Sequence, residues 1–207
     1  MDRAADPHTA SSSRSAFVTR GAIAAGALAV GGGLGILTRA APAQAAAPSP
    51  EQDRKIFNFA LLLEYLQAAF YTQAVEHGRL TGDVRSFAEV VAGHEHAHVG
   101  YLRKALGPHA RPRPKFDFGG ATRSERAFLK AAVLLENTGV LAYNGQAANL
   151  TKPALAAAAE IVSVEGRHAA WVSSLAGEPP APRAADVGAP SAAVVSKLES
   201  LGFLRTS

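Results

Sequence analysis

Four glutamates and two histidines stand where helical periodicity calls for apolar side chains. Glu64 follows Ala60 and Leu61 and precedes Ala68 and Tyr71 on one face. Glu95 follows Val91, and His98 precedes Leu102. Glu136 lies between Ala132 or Val133 and Val140; Glu165 follows Ile161, and His168 precedes Val172. Side chains three and four residues apart share a helix face, so all six point toward a core. Four ionised carboxylates there would cost several kcal/mol each and would repel one another. Any single buried glutamate is explained by protonation or pairing. Four at matching depth call for shared cations, and two divalent ions balance the charge.

The spacing sharpens this. Helices one and three contribute a lone Glu, and helices two and four contribute Glu-x-x-His, as Glu95–His98 and Glu165–His168. This is the ligand pattern of di-iron and di-manganese carboxylate bundles, with one Glu of each pair bridging or chelating and each His binding one ion end-on. A ligand set of carboxylates with some imidazole suits two Fe or Mn ions per chain. The sequence also repeats itself. Leu62-Leu63-Glu64 with Tyr71 seven residues on recurs as Leu134-Leu135-Glu136 with Tyr143. Tyr71 and Tyr143 are then hydrogen-bond partners of the ligands, radical relays, or, most simply, core tyrosines. His94, one turn before His98, is a supporting or extra ligand or a partly exposed side chain. His96 is expected to point away, His77 and His109 to be solvated, and Trp171 to pack in the core. Arg167 either pairs with a ligand carboxylate or covers the bundle surface.

Four helices must carry these residues. Ser49-Pro50-Glu51-Gln52 combines an N-cap serine, proline at the first helical position and Gln three residues after the cap. An apolar stripe of Phe57, Ala60, Leu61, Ala68, Tyr71 and Val75 then runs to Gly78. A second helix starts near Asp83, carries Phe87, Val91, Leu102 and Leu106, and stops at Gly107-Pro108. Thr122-Arg123-Ser124-Glu125 reads as a second capping box, opening a helix with Phe128, Leu129, Ala132, Val133, Val140 and Tyr143. After a break at 149–152, a fourth helix carries Leu155, Ala158, Ile161, Val172 and Leu175 and ends at Gly177. Residues 178–207 form a Pro-rich tail with a short amphipathic helix near 191–201. Nothing alternates with period two for long enough to make a sheet.

Residues 107–122 contain Arg111-Pro112-Arg113-Pro114 and Gly119-Gly120 and read as extended chain. A helix of about 24 residues is ~36 Å long. Sixteen extended residues cover ~50 Å. The segment therefore spans the bundle and joins two helical hairpins by one long crossover between helices two and three.

The stretches Ala60–Leu66, His94–Val99 and Val164–Ala170 resemble the ferritin-like domain family that includes desiccation-related proteins. The resemblance covers about residues 50–177, within a bundle domain read as 46–177. It implies an all-α, ferritin-like antiparallel four-helix bundle with a dinuclear site, followed here by the short C-terminal helix. Nothing in the sequence predicts a 24-subunit storage cage, and a small homo-oligomer is compatible with it. The activity expected is ferroxidase-like or manganese-catalase-like oxidoreduction with dioxygen or peroxide as partner. A metal-stabilised, stress-protective bundle without catalysis is the alternative. His94-Glu95-His96-Ala97-His98 also satisfies the H-E-x-x-H pattern of zinc peptidases, a reading that leaves Glu64, Glu136, Glu165 and His168 without a role.

Composition bounds the rest. The 207-residue chain has 48% hydrophobic residues, enough for one packed domain, and no cysteine, which excludes disulfides and thiolate metal sites. Its net charge is +4, with four arginines against two aspartates in the first 45 residues. The remaining 17 basic and 15 acidic residues leave no electrostatic footprint for nucleic acid. Residues 1–45 read as a signal peptide: a Ser-rich basic stretch, the uncharged run 21–37, and Ala-Pro-Ala-Gln-Ala at 41–45. Ser13–Val18 is similar to a twin-arginine signal with Ser15 in place of the second arginine, so the export route is twin-arginine or Sec. Six of the seventeen residues in the apolar run are glycine, so no stable membrane span is expected after cleavage. The mature chain is expected to be periplasmic, cell-surface or secreted, and membrane-anchored if uncleaved.

Overall fold

The computed structural model describes residues 47–204, so the signal-peptide expectation for residues 1–45 lies outside the described residues. Four long helices, α1 (Pro50–His77), α2 (Gly82–Leu106), α3 (Glu125–Gln146) and α4 (Lys152–Leu175), are followed by the short α5 (Ser191–Ser200). Among the described residues, the only β-type pairing is an isolated antiparallel bridge between Phe116 and Leu204. The described residues form a bundle of four long helices with a short C-terminal helix.

Capping sets the helix starts. Ser49 accepts a hydrogen bond from the Gln52 amide at 3.2 Å, with Pro50 at the first helical position. At α3 the expected box is displaced. Ser124, not Thr122, is the N-cap and accepts from the Ala127 amide. Thr122 is buried in the turn that follows Gly119-Gly120, two residues before the cap. Glu125 is thereby free to reach α2, where it accepts hydrogen bonds from the amide and hydroxyl of the N-cap residue Thr81 at 3.0 and 3.1 Å. Asp53 of α1 does the same for Thr151, the N-cap of α4, at 2.9 and 2.6 Å. One acidic brace therefore ties α3 to α2 at one end of the bundle, and another ties α1 to α4 at the opposite end.

These braces place the starts of α2 and α3 together at one end and those of α1 and α4 at the other. α1 pairs with α2 and α3 with α4, and the pairs meet through α1 against α3 and α2 against α4. The crossover leaves α2 through a 3-10 turn at Gly107–His109. Asn58 of α1 then holds it at both sides, donating to the His109 carbonyl at 3.0 Å and accepting from the Arg111 amide at 2.8 Å. The tail closes over α3, where Ala189 donates to the Leu141 carbonyl. Its backbone lies against Gly145, where any side chain would collide with Ala189.

Asp53→Ala removes two partly buried hydrogen bonds and the brace on α4. It is expected to cost about 1–2 kcal/mol. That lowers the thermal midpoint by roughly 2–4 °C per kcal/mol. Circular-dichroism melting checks this against Glu125→Ala, whose brace is more exposed and whose loss is expected to be smaller.

Two apolar layers fill the interior. One gathers Phe70, Tyr71, Phe87, Phe128, Val172 and, from α5, Val194 and Leu198. Phe70 and Phe128 stack with centroids 5.4 Å apart, and Tyr71 meets Phe128 edge-on at 5.7 Å. The other gathers Phe57, Leu61, Leu102, Tyr143 and Ile161. Along α1, Glu64 falls between residues of the two layers, as Glu95 does along α2. Leu155 of the expected α4 stripe and Trp171, expected to pack in the core, both lie outside it. Leu155 is 40% exposed. Trp171 is 39% exposed and packs edge-on against Phe87 with centroids 5.0 Å apart, because its position on α4 faces the cleft toward α2 rather than the axis.

Candidate metal centre

Glu64, Glu95, Glu136 and Glu165 are all 0% exposed, and His98 and His168 are buried with them. Their ligand atoms form two groups. Glu64, Glu95, His98 and Glu165 each offer one atom within 4.8 Å of the others, and so do Glu95, Glu136, Glu165 and His168. Glu95 and Glu165 belong to both groups. Glu64 with His98 flanks one side, and Glu136 with His168 flanks the other.

The site is held crosswise. Tyr71 of α1 donates to Glu136 Oε1 at 2.5 Å, while Tyr143 of α3 donates to Glu64 Oε1 at 2.6 Å. The tyrosines thus orient carboxylates of the opposite hairpin and are more than core packing. Gln67 was not anticipated. One turn after Glu64 and buried, it donates to Glu136 Oε1 at 3.1 Å and lies 3.4 Å from Glu165 Oε2. Gly139, one turn after Glu136, was also missed. A Cβ there would sit 2.6 Å from Glu165 Oε2, so only glycine leaves room for that carboxylate. The readable signal for both was register: a polar residue and a glycine on the buried face, each three positions after a core glutamate.

The histidines differ in setting. His168 Nε2 lies 2.9 Å from His94 Nδ1, and the two rings stack at 5.2 Å. His94 is itself exposed and belongs to neither ligand group. It therefore does not pair with His98 around a single ion, as the zinc-peptidase pattern requires. His96 is exposed and meets Thr72 Oγ1 at 3.0 Å, away from the site. His77 and His109 are exposed, as is Arg167, which makes no ion pair with the carboxylates. A cleft between α2 and α4 is rimmed by His94, His98, Arg167, His168 and Trp171, and it reaches both buried histidines from solvent.

Without cations the site must manage its charge with protons. Burial raises Glu95 well above the usual carboxylate range, and the neighbouring Glu165 and Glu64 raise it further. Burial and then repulsion from Glu64 push Glu165 up to about 8. Burial opposes the charge on Glu64, but hydrogen bonds led by that from His98 win and lower its pKa. Burial also opposes the charge on His98, yet the carboxylates of Glu165, Glu64 and Glu95 gathered around its Nδ1 push it up to about 12. Both tyrosines are raised well above 10, by burial and then by the glutamate each one faces, so they remain hydrogen-bond donors.

The residues fit metal ions. Both oxygens of Glu95, Glu136 Oε2, Glu165 Oε1 and His168 Nδ1 are buried without a hydrogen-bond partner. Buried polar atoms are ordinarily satisfied, so five unsatisfied ligand atoms at one locus mark a place for cations. Gly139→Ala is expected to displace Glu165 and weaken metal binding about 10–100-fold with the helical content intact. Equilibrium titration with Mn(II) beside a circular-dichroism spectrum measures both.

Fold and site together define a helical bundle with a buried carboxylate–histidine cluster suited to metal binding. The sequence profile of the ferritin-like domain matches residues 52–178, and the chain belongs to that family. No curated protein sequence matches the chain.

Proposed function

We propose that the protein binds two iron or manganese ions in this cluster and uses them in redox chemistry with dioxygen or peroxide. The observation that carries the reading is the sharing of Glu95 and Glu165 between two four-residue ligand groups. Such sharing suits a pair of adjacent ions bridged by carboxylates, and four glutamates balance two divalent charges. Glu64 and His98 would complete one ion's protein ligands, and Glu136 and His168 the other's. An ion pair of this kind supplies electron exchange with a small oxidant. The chain's own part is to orient and to exclude. Tyr71, Tyr143 and Gln67 fix the carboxylates, the two apolar layers keep water from the bundle axis, and the α2–α4 cleft admits only small molecules beside the histidines. We read the chain as exported, on the basic, apolar and small-residue segments before residue 46.

Elemental analysis of the purified chain, followed by peroxide and dioxygen consumption after loading with Fe(II) or Mn(II), tests this. Two ions per chain with turnover is the expected result. One zinc per chain would overturn the site. Two ions with no turnover under either metal would establish instead the stress-protective bundle, in which metal serves stability alone.

A further inference from the structure

The internal repeat relates the hairpins residue by residue, so places where the repeat fails are informative. Glu64 corresponds to Glu136, Tyr71 to Tyr143, Glu95 to Glu165 and His98 to His168. In the same register Gln67 corresponds to Gly139, and His94 to Val164. Both departures favour the same side. Gln67 donates to Glu136, adding to the bond from Tyr71. His94 holds the outer nitrogen of His168. On the opposite side Val164 offers no polar atom, and among the described residues His98 Nε2 has no hydrogen-bond partner.

The inner atoms differ in the same sense. Glu136 Oε2 and His168 Nδ1 are 3.3 Å apart but make no hydrogen bond, so both are buried, oriented and unsatisfied. Glu64 Oε2 and His98 Nδ1, also buried, are hydrogen-bonded to each other at 3.2 Å. A cation entering at Glu64 and His98 displaces that bond. One entering at Glu136 and His168 displaces only a 3.3 Å contact without hydrogen-bond geometry and satisfies two otherwise unpaired atoms. Ligands already aimed by outer partners also lose less freedom on binding.

We infer that the two metal positions are unequal: the one at Glu136 and His168 fills first and holds its ion more tightly, with His94 and Gln67 as its positioning residues. The position at Glu64 and His98 fills second and exchanges faster. This rests on the two-ion reading above, and it makes the protein a candidate for mixed occupancy, with a retained ion beside a replaceable one.

Titrating the metal-free full chain with Mn(II), followed by electron paramagnetic resonance and calorimetry, tests it. The first equivalent should give an isolated-ion spectrum and the second an exchange-coupled one, with dissociation constants at least about tenfold apart. Glu64→Gln should weaken only the second event, and Glu136→Gln should abolish the tight one. His94→Val copies the residue of the other hairpin at an exposed position, so the fold is retained. It should bring the two constants together by weakening the tight event, while His94→Gln, which keeps a side-chain acceptor, should restore part of the gap. Two ions bound with one indistinguishable affinity would overturn this inference alone, as would loss of the tight event in Glu64→Gln. A total of one ion per chain would overturn the two-ion reading together with it.

Discussion

Glu95→Ala and Glu165→Ala should each reduce bound metal from two ions per chain to none under conditions that saturate the wild type. Each carboxylate belongs to both ligand groups, so either substitution takes one protein ligand from both positions at once. Glu64→Ala and Glu136→Ala remove a ligand from one position only and should each retain an ion. The contrast separates bridging from flanking roles, which a uniform loss of affinity would not do. A second consequence runs the other way. In metal-free protein these carboxylates repel one another, and both have pKa values raised by burial and by their neighbours. Glu95→Gln keeps the shape and spares the fold the cost of burying that carboxyl, so it should stabilise the metal-free fold while preventing the stabilisation that metal confers. Elemental analysis after dialysis, paired with melting curves with and without Mn(II), reads both effects. Full metal content in both bridging-position variants would dismantle the site.

Metal removal should destabilise the protein most at alkaline pH. Glu165 is raised from 4.5 to about 8 in the fold. The unfolded chain therefore ionises first as pH climbs, so the stability this group contributes is whole below about 4.5 and gone above about 8. His98, raised from 6.5 to about 12, acts in the same direction, its contribution fading as pH rises from 6.5 toward 12. Glu64, with a lowered pKa, works the opposite way, losing its contribution only on acidification below its ordinary 4.5. The melting temperature of chelator-treated protein should accordingly fall from pH 5 to pH 9. Bound cations replace the protons, so loaded protein should hold its midpoint over that range. At free metal a hundredfold above each dissociation constant, two ions contribute about 5 kcal/mol. That is roughly 10–20 °C in melting temperature for a chain of this size. Scanning calorimetry at pH 5, 7 and 9, before and after chelation, measures the difference. A chelated protein with a flat profile would show that the carboxylates do not share one charged locus.

The helices were legible because their stripes are long and their ends are marked. Ser49-Pro50, Gly78 and Gly107-Pro108 fell at or beside observed boundaries. The convergence of the six core glutamates and histidines could be read from register, since a bundle tolerates several carboxylates on its buried faces only where they meet and share protons or cations. Thr122 misled because a capping pattern does not fix where the helix begins: the first helical residue is Glu125, which puts Ser124 at the cap. Trp171 and Leu155 misled because periodicity fixes a face only to within a turn, whereas exposure depends on where the neighbouring helix stops covering it. The crosswise bonds of Tyr71 and Tyr143 join residues 65 and 79 positions apart. No single-helix pattern shows which carboxylate a tyrosine will meet across a bundle. Gln67 and Gly139 gain meaning only once Glu165 from another helix lies between them.

The crossed tyrosines carry one more consequence. Neither hairpin contains a finished half of the site, because the phenol that steadies each lone glutamate is lent by the other. Two identical hairpins meeting about the same axis would bring together all six ligands, and both copies would be bound to remain alike. Joining them through the proline-stiffened crossover lifts that restriction. Once fused, one copy can acquire a histidine where the other keeps valine, and a glutamine where the other keeps glycine. The connecting segment contributes none of the six clustered glutamates and histidines, yet it is what permits left and right to become different.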